Sequence, residues 1–160
     1  MAIKIDQCIF MMTFAADADY HANLEGQRTY LHRETGDLVT VAIDADRMAI
    51  EFGMAAVKGM LKNAAKVKKH PEEYFEIESM SHGDHHSLLQ EFLSADWTSD
   101  HARRDHAYGT YAQRKSIGYW LKNVGDQDAI DAYLSFKQEE VVRIAEKFLR
   151  KNGVIDFVWS

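Results

Sequence analysis

The chain of 160 residues predicts an α+β fold, a small antiparallel sheet of three or four strands covered by helices. Three observations carry that expectation. β-Branched and aromatic residues flank a polar, glycine-containing centre between 29 and 43, which has the composition of a hairpin. Apolar residues recur at helical spacing near both ends of the chain, and a stretch of period two follows the only proline. The length suits one domain, 1–160, with a single substantial core.

Taken in order, Ile5, Cys8, Ile9, Met12 and Ala16 form a helical stripe, and Asp6 is placed to cap its start. The apolar run 8–16 lacks the positive flank of a secretory signal and is too short to span a bilayer, which takes about 20 residues. The run Tyr30-Leu31-His32-Arg33-Glu34-Thr35-Gly36-Asp37-Leu38-Val39-Thr40-Val41 reads as a hairpin, with Gly36 at positive φ in the turn. Residues 46–66 are rich in alanine and methionine, and either Asp44 or Asp46 caps a helix there. Gly53 and Gly59 lie within it, so either another backbone packs closely or the segment is broken.

Pro71 ends that helix, and Phe75 and Ile77 alternate with Glu76 and Glu78 as a half-buried strand would. A helix is expected over 81–93 with Leu88, Leu89 and Phe92 inward, whereas the polar stretch 96–113 has no clean period. Ile130, Tyr133, Leu134, Val141, Ile144, Ala145 and Phe148 continue a helical stripe that falters at 136–139, suggesting two helices meeting at a bend. Gly153 is the expected C-cap, and a final strand follows within 154–159.

The formal net charge of -6 and pI near 5.7 disfavour nucleic acid and anionic membranes as partners. A single cysteine, Cys8, excludes an intramolecular disulfide and points to a reducing compartment, hence the cytoplasm. The hairpin run 30–39, the helix containing 116–121 and the segment from Ala132 through Phe136 to Val154 together resemble the bacterial uncharacterised protein family 0158. The resemblance extends from about Ile3 to Val154, and it implies no reaction, cofactor or catalytic residues. Two departures stand out: His32 follows Leu31 where an acidic turn residue is expected, and the stretch 45–71 is longer than the family's pattern.

Five of the eight histidines fall between His82 and His106. On a helix, His82 and His86 share one face, a spacing that chelates zinc if Asp84, Asp105 or His106 completes the shell. The competing account is a solvated helix start with Ser81 as N-cap, and no cofactor is expected. Cys8, inside an apolar stripe, is expected to be buried and inert. The acidic pairs Asp17/Asp19, Asp126/Asp128 and Glu139/Glu140 fit capping and solvation, and no nucleophile elbow or phosphate loop is present.

Lys58, Lys62 and Lys66 recur every four residues, with Lys69 near the same face, a row that either solvates a helix or meets an acidic partner or nucleic acid, although the interleaved aromatics that a single strand needs are absent from it. Phe10, Met11 and Phe14 lie outside the first helix's stripe, so that helix is expected to form a homodimer through them. The expected function is an intracellular protein-interaction or regulatory module with an unidentified protein partner. The alternative is a metal-dependent enzyme using the histidine-rich segment 82–106.

Overall fold

The computed structural model describes residues 1–16 and 26–160. The acidic pair Asp17 and Asp19 lies outside the described residues. The fold is α+β, as expected. The chain packs as two compact units, 1–80 with 146–160 and then 81–145, where the sequence suggests one domain over 1–160.

The first unit is built on two small sheets. β2 (Gln27–His32) pairs antiparallel with β3 (Leu38–Ala42) and, on its other edge, with β4 (Tyr74–Glu76). This is the expected hairpin, in register Tyr30 with Val39 and Leu31 with Leu38. Gly36 has φ +79°, and a side chain there would strike the Lys4 carbonyl oxygen, so both backbone angle and space require glycine. The expected alternation runs through β4 and just past its end, with Phe75 and Ile77 buried.

A second, parallel pair joins β1 (Ile3–Ile5) to β5 (Phe157–Trp159), with Ile3 opposite Phe157 and Ile5 opposite Trp159. Ile5 is therefore buried as a strand residue rather than as part of the helical stripe.

α1 (Gln7–Phe14) starts where Asp6 accepts a hydrogen bond from Ile9 N at 2.9 Å, but it buries the face opposite to the expected one. Phe10 and Phe14 are 0% and 3% exposed, whereas Ile9 and Met12 are about half exposed and Cys8 is exposed. The two phenylalanines stand four apart and offer the larger apolar area. Phe10 meets Phe14 and Trp159 at 5.4 Å between ring centres, and Phe14 meets Phe148 at 5.5 Å. Phe10 and Phe14 are thus core residues and offer no interface, and Cys8 is not a buried thiol.

α2 (Ala45–Phe52) and α3 (Met54–Lys69) are two helices separated at Gly53, which adopts φ +86°, ψ 164°. Only glycine enters that region readily, so the predicted 46–66 helix is broken at this residue. Asp44 is the N-cap of α2, accepting from Arg47 N at 3.0 Å. Gly59 lies inside α3 with open space around it, which removes close packing as its reason.

The second unit is helical. α4 (His82–Ser94) opens on a capping box: Ser81 Oγ accepts from Asp84 N, and the Asp84 carboxylate accepts from Ser81 N. Leu88, Leu89 and Phe92 face inward as the period requires, and His85 is buried. The segment without a clear period becomes α5 (His101–Arg114), begun by Asp100 accepting from Ala102 N and Arg103 N. α6 (Ile117–Asn123) places Trp120 at the centre, with its indole N–H donating to the Ala107 carbonyl and its ring edge-on to Tyr133 at 5.5 Å.

α7 (Gln127–Lys151) is one uninterrupted helix of 25 residues rather than two at a bend. Its first part belongs to the second unit and the part from Glu146 to the first. It ends as expected at Gly153, φ +87°, where Gly153 N donates to Arg150 O and Val154 N to Leu149 O.

Candidate functional site

The histidine pair forms as its spacing predicts. One helical turn brings His82 and His86 onto the same face of α4, with their Nε2 atoms 2.9 Å apart and the rings edge to face. Tyr111, from α5, reaches the other side of His86, with 2.8 Å between its hydroxyl and His86 Nδ1, and Gln90 donates to the same hydroxyl at 3.5 Å. With Gln90 as donor, the phenol proton is available to His86 Nδ1, and His86 Nε2–H then donates to His82 Nε2. Burial first, and the charge of His82 second, push the His86 pKa below its usual value, which favours this neutral arrangement.

The rest of the proposed shell does not assemble there. Asp84 is turned back onto Ser81 N as a cap, His106 Nε2 is 2.7 Å from the Val124 carbonyl oxygen, and Asp105 is exposed. Among the described residues, no third histidine, cysteine or carboxylate donor stands within 4.8 Å of both His82 and His86. Spacing along α4 fixes the pair, but α5 turns Asp105 and His106 toward other duties.

A cleft of about 530 Å³ in the second unit runs between the start of α5 and the start of α7. Two of its charged groups, Arg103 and Asp126, are engaged with each other. Arg103 grips Asp126 with two hydrogen bonds of 2.9 and 2.8 Å, and Asp126 also caps α7 by accepting from Ala129 N. The hydrogen bond to Arg103 holds the Asp126 carboxyl below its usual pKa, and the same bond raises that of Arg103. The arrangement fastens the α6–α7 turn, in agreement with the capping role expected for Asp126.

In the first unit, the lysine row of α3 is exposed along its length. Val57 supplies the buried side of α3. By helical geometry Lys62 and Lys66 lie about 40° and 80° to one side of Lys58, and Met54 and Leu61 about 40° and 60° to the other. Met54 is 63% exposed, and Ile50 of α2 is 87% exposed, with Phe52 and Leu61 near half. These apolar side chains are absent from the sequence-based candidates. A signal was present: Ile50 lies about 200° around the helix from Met48, the buried residue of α2, so both cannot face one core.

No helix among the described residues is long and apolar enough to cross a membrane. No protein-family model, curated protein or solved structure matches this chain.

Proposed function

We propose that the chain is a protein-interaction module that docks an acidic, partly apolar protein surface through the outer face of α2 and α3. One observation carries the reading: α2 and α3 expose the large apolar side chains of Ile50, Phe52, Met54 and Leu61 in the same segment that exposes Lys58, Lys62 and Lys66. Contiguous apolar surface rimmed by charge marks an interaction surface more often than a merely solvated face. The segment 45–69 carries Arg47, Lys58, Lys62, Lys66, Lys68 and Lys69 against Asp46 and Glu51, a basic region on a chain of net charge -6. Such a region attracts acidic partners at short range and speeds their encounter.

The test compares wild-type protein with an Ile50→Glu, Phe52→Glu variant and a Lys58→Glu, Lys62→Glu, Lys66→Glu variant as baits in native extract with cross-linking. An acidic protein retained by wild type and released by both variants, each folded by circular dichroism, is the expected result. Partners indifferent to both changes sink the proposal. So does a wild-type protein that binds anionic lipid vesicles and retains no protein.

Self-association as a homodimer is a second reading, and it moves to the outer face of α1. Ile9 and Met12 are 48% and 54% exposed there, next to exposed Cys8. The proposed setting is the bacterial cytoplasm, supported by the free thiol and by the resemblance to family 0158.

A further inference from the structure

Where α3 runs out, His70 is followed by Pro71, which opens a short 3₁₀ turn, Pro71–Glu73. This turn brings one nitrogen of His70 and one oxygen each of Glu72 and Glu73 within 4.8 Å of one another. His70 Nδ1 stands 3.8 Å from Glu72 Oε1 and 4.0 Å from Glu73 Oε1. Those gaps are too wide for hydrogen bonds, which close at about 2.7–3.2 Å. Donors that share one tetrahedral ion at about 2.0–2.2 Å stand about 3.3–3.6 Å apart, between a hydrogen bond and the gaps seen here. Closing on an ion therefore asks for a smaller inward shift of the exposed carboxylate ends than closing on a shared proton would.

Glu73 is the most firmly held of the three. Its carbonyl accepts from Arg33 N at 2.8 Å, and its own N–H donates to the His70 carbonyl at 3.0 Å. His32 fixes the side chain as well. Its Nδ1 accepts from the backbone N–H groups of Glu34 and Thr35, both at 3.2 Å, so the ring proton is on Nε2. Nε2–H then donates to Glu73 Oε2 at 3.3 Å, and the ring is braced edge-on against Tyr74 at 4.9 Å. That bond engages Oε2 and leaves Oε1 on the side of His70. Ligating carboxylates are held by outer hydrogen bonds of this kind.

We propose that His70, Glu72 and Glu73 form a binding site for a divalent transition-metal ion, with His32 as the positioning residue for Glu73. One imidazole and two carboxylates favour zinc or manganese over soft, thiolate-seeking ions, and the two negative charges balance the ion's own. Three protein donors on an exposed turn leave the remaining coordination positions to water.

The probe is zinc chloride, titrated calorimetrically into untagged, chelator-treated protein, with circular dichroism and metal-free melting recorded for every variant. The expected result is one ion per chain, with binding abolished in His70→Ala and weakened in Glu73→Gln. His32→Ala lowers the affinity about 10- to 100-fold, the usual effect of removing an outer-layer partner, and His32→Gln, which keeps an N–H donor, recovers most of it. The paired change His82→Ala, His86→Ala leaves this binding intact. Absence of zinc binding by wild type at tenfold excess overturns the proposal. Binding that survives in folded His70→Ala and disappears with the α4 pair overturns it equally.

Discussion

Tyr133 sits at the centre of the second unit, 1% exposed, and its hydroxyl meets no hydrogen-bond partner among the described residues. The ring is edge-on to Trp120 and 5.7 Å from Phe92, so what the residue contributes to the core is its aromatic face. Burial pushes the phenol from 10.0 up to about 12. Because the folded chain holds this proton more tightly than the unfolded one, the associated stability is intact below pH 10.0 and declines as the pH rises through about 12. That interval corresponds to roughly 2 to 3 kcal/mol. Tyr133→Phe removes an unpaired buried hydroxyl, whose burial costs about 1 to 3 kcal/mol. Urea unfolding is expected to show a variant at least as stable as wild type at pH 7 and relatively more stable at pH 11. A Tyr133→Phe protein markedly weaker at both values would mean that the hydroxyl is paired.

At the level of the elements, the two glycines of the α2–α3 region make opposite predictions. Gly53 adopts a backbone conformation nearly closed to other residues, and a β-carbon added there would meet nothing within 4 Å, so Gly53→Ala isolates the backbone cost of about 1 to 3 kcal/mol. Gly59, in an open helical interior, is expected to gain about 0.5 to 1 kcal/mol on change to alanine. Thermal melting of the two variants reads both signs. Equal effects would dissolve the distinction.

The same region shows what the amino-acid order expresses and what it does not. Hairpin, caps and helix ends were readable because glycine, aspartate and serine act on their immediate neighbours: Gly36, Asp6, Ser81 and Gly153 each behave as local chemistry requires. The His82–His86 pair was readable for the same reason, being a matter of one helical turn. The direction in which α1 faces was not. It depends on Phe148 and Trp159, more than 130 positions away, which draw Phe10 and Phe14 inward and leave Cys8, Ile9 and Met12 outside. Polar 96–113 hid a helix because its inward residues, Ala107, Thr110 and Tyr111, include small and polar types that a hydrophobic period undercounts. The His70 turn was missed because Glu73 acquires its orientation from His32 across the sheet edge.

For the whole molecule, the proposed homodimer gives a mass-based prediction. Light scattering across a concentration series is expected to exceed the 18.4 kDa of one chain, and Met12→Glu to return it to that value with the fold retained. Phe14→Glu is expected to unfold the first unit instead, since it forces a charge into a buried ring cluster. A mass of one chain at every concentration, or a dimer indifferent to Met12→Glu, removes α1 as the interface.

The pairing of β1 with β5 has a consequence for biosynthesis. Ile3 is synthesised before its strand partner, Phe157, which is added only after another 153 residues have been joined. Phe10 likewise waits for Phe148 and Trp159 to cover it. The nascent first unit thus carries an unsealed strand edge and exposed aromatic rings until residues 148–159 emerge, the condition in which chains are most prone to pair with one another. The second unit, 81–145, is continuous in the chain and draws its internal contacts from residues already synthesised, so its folding need not wait for β5.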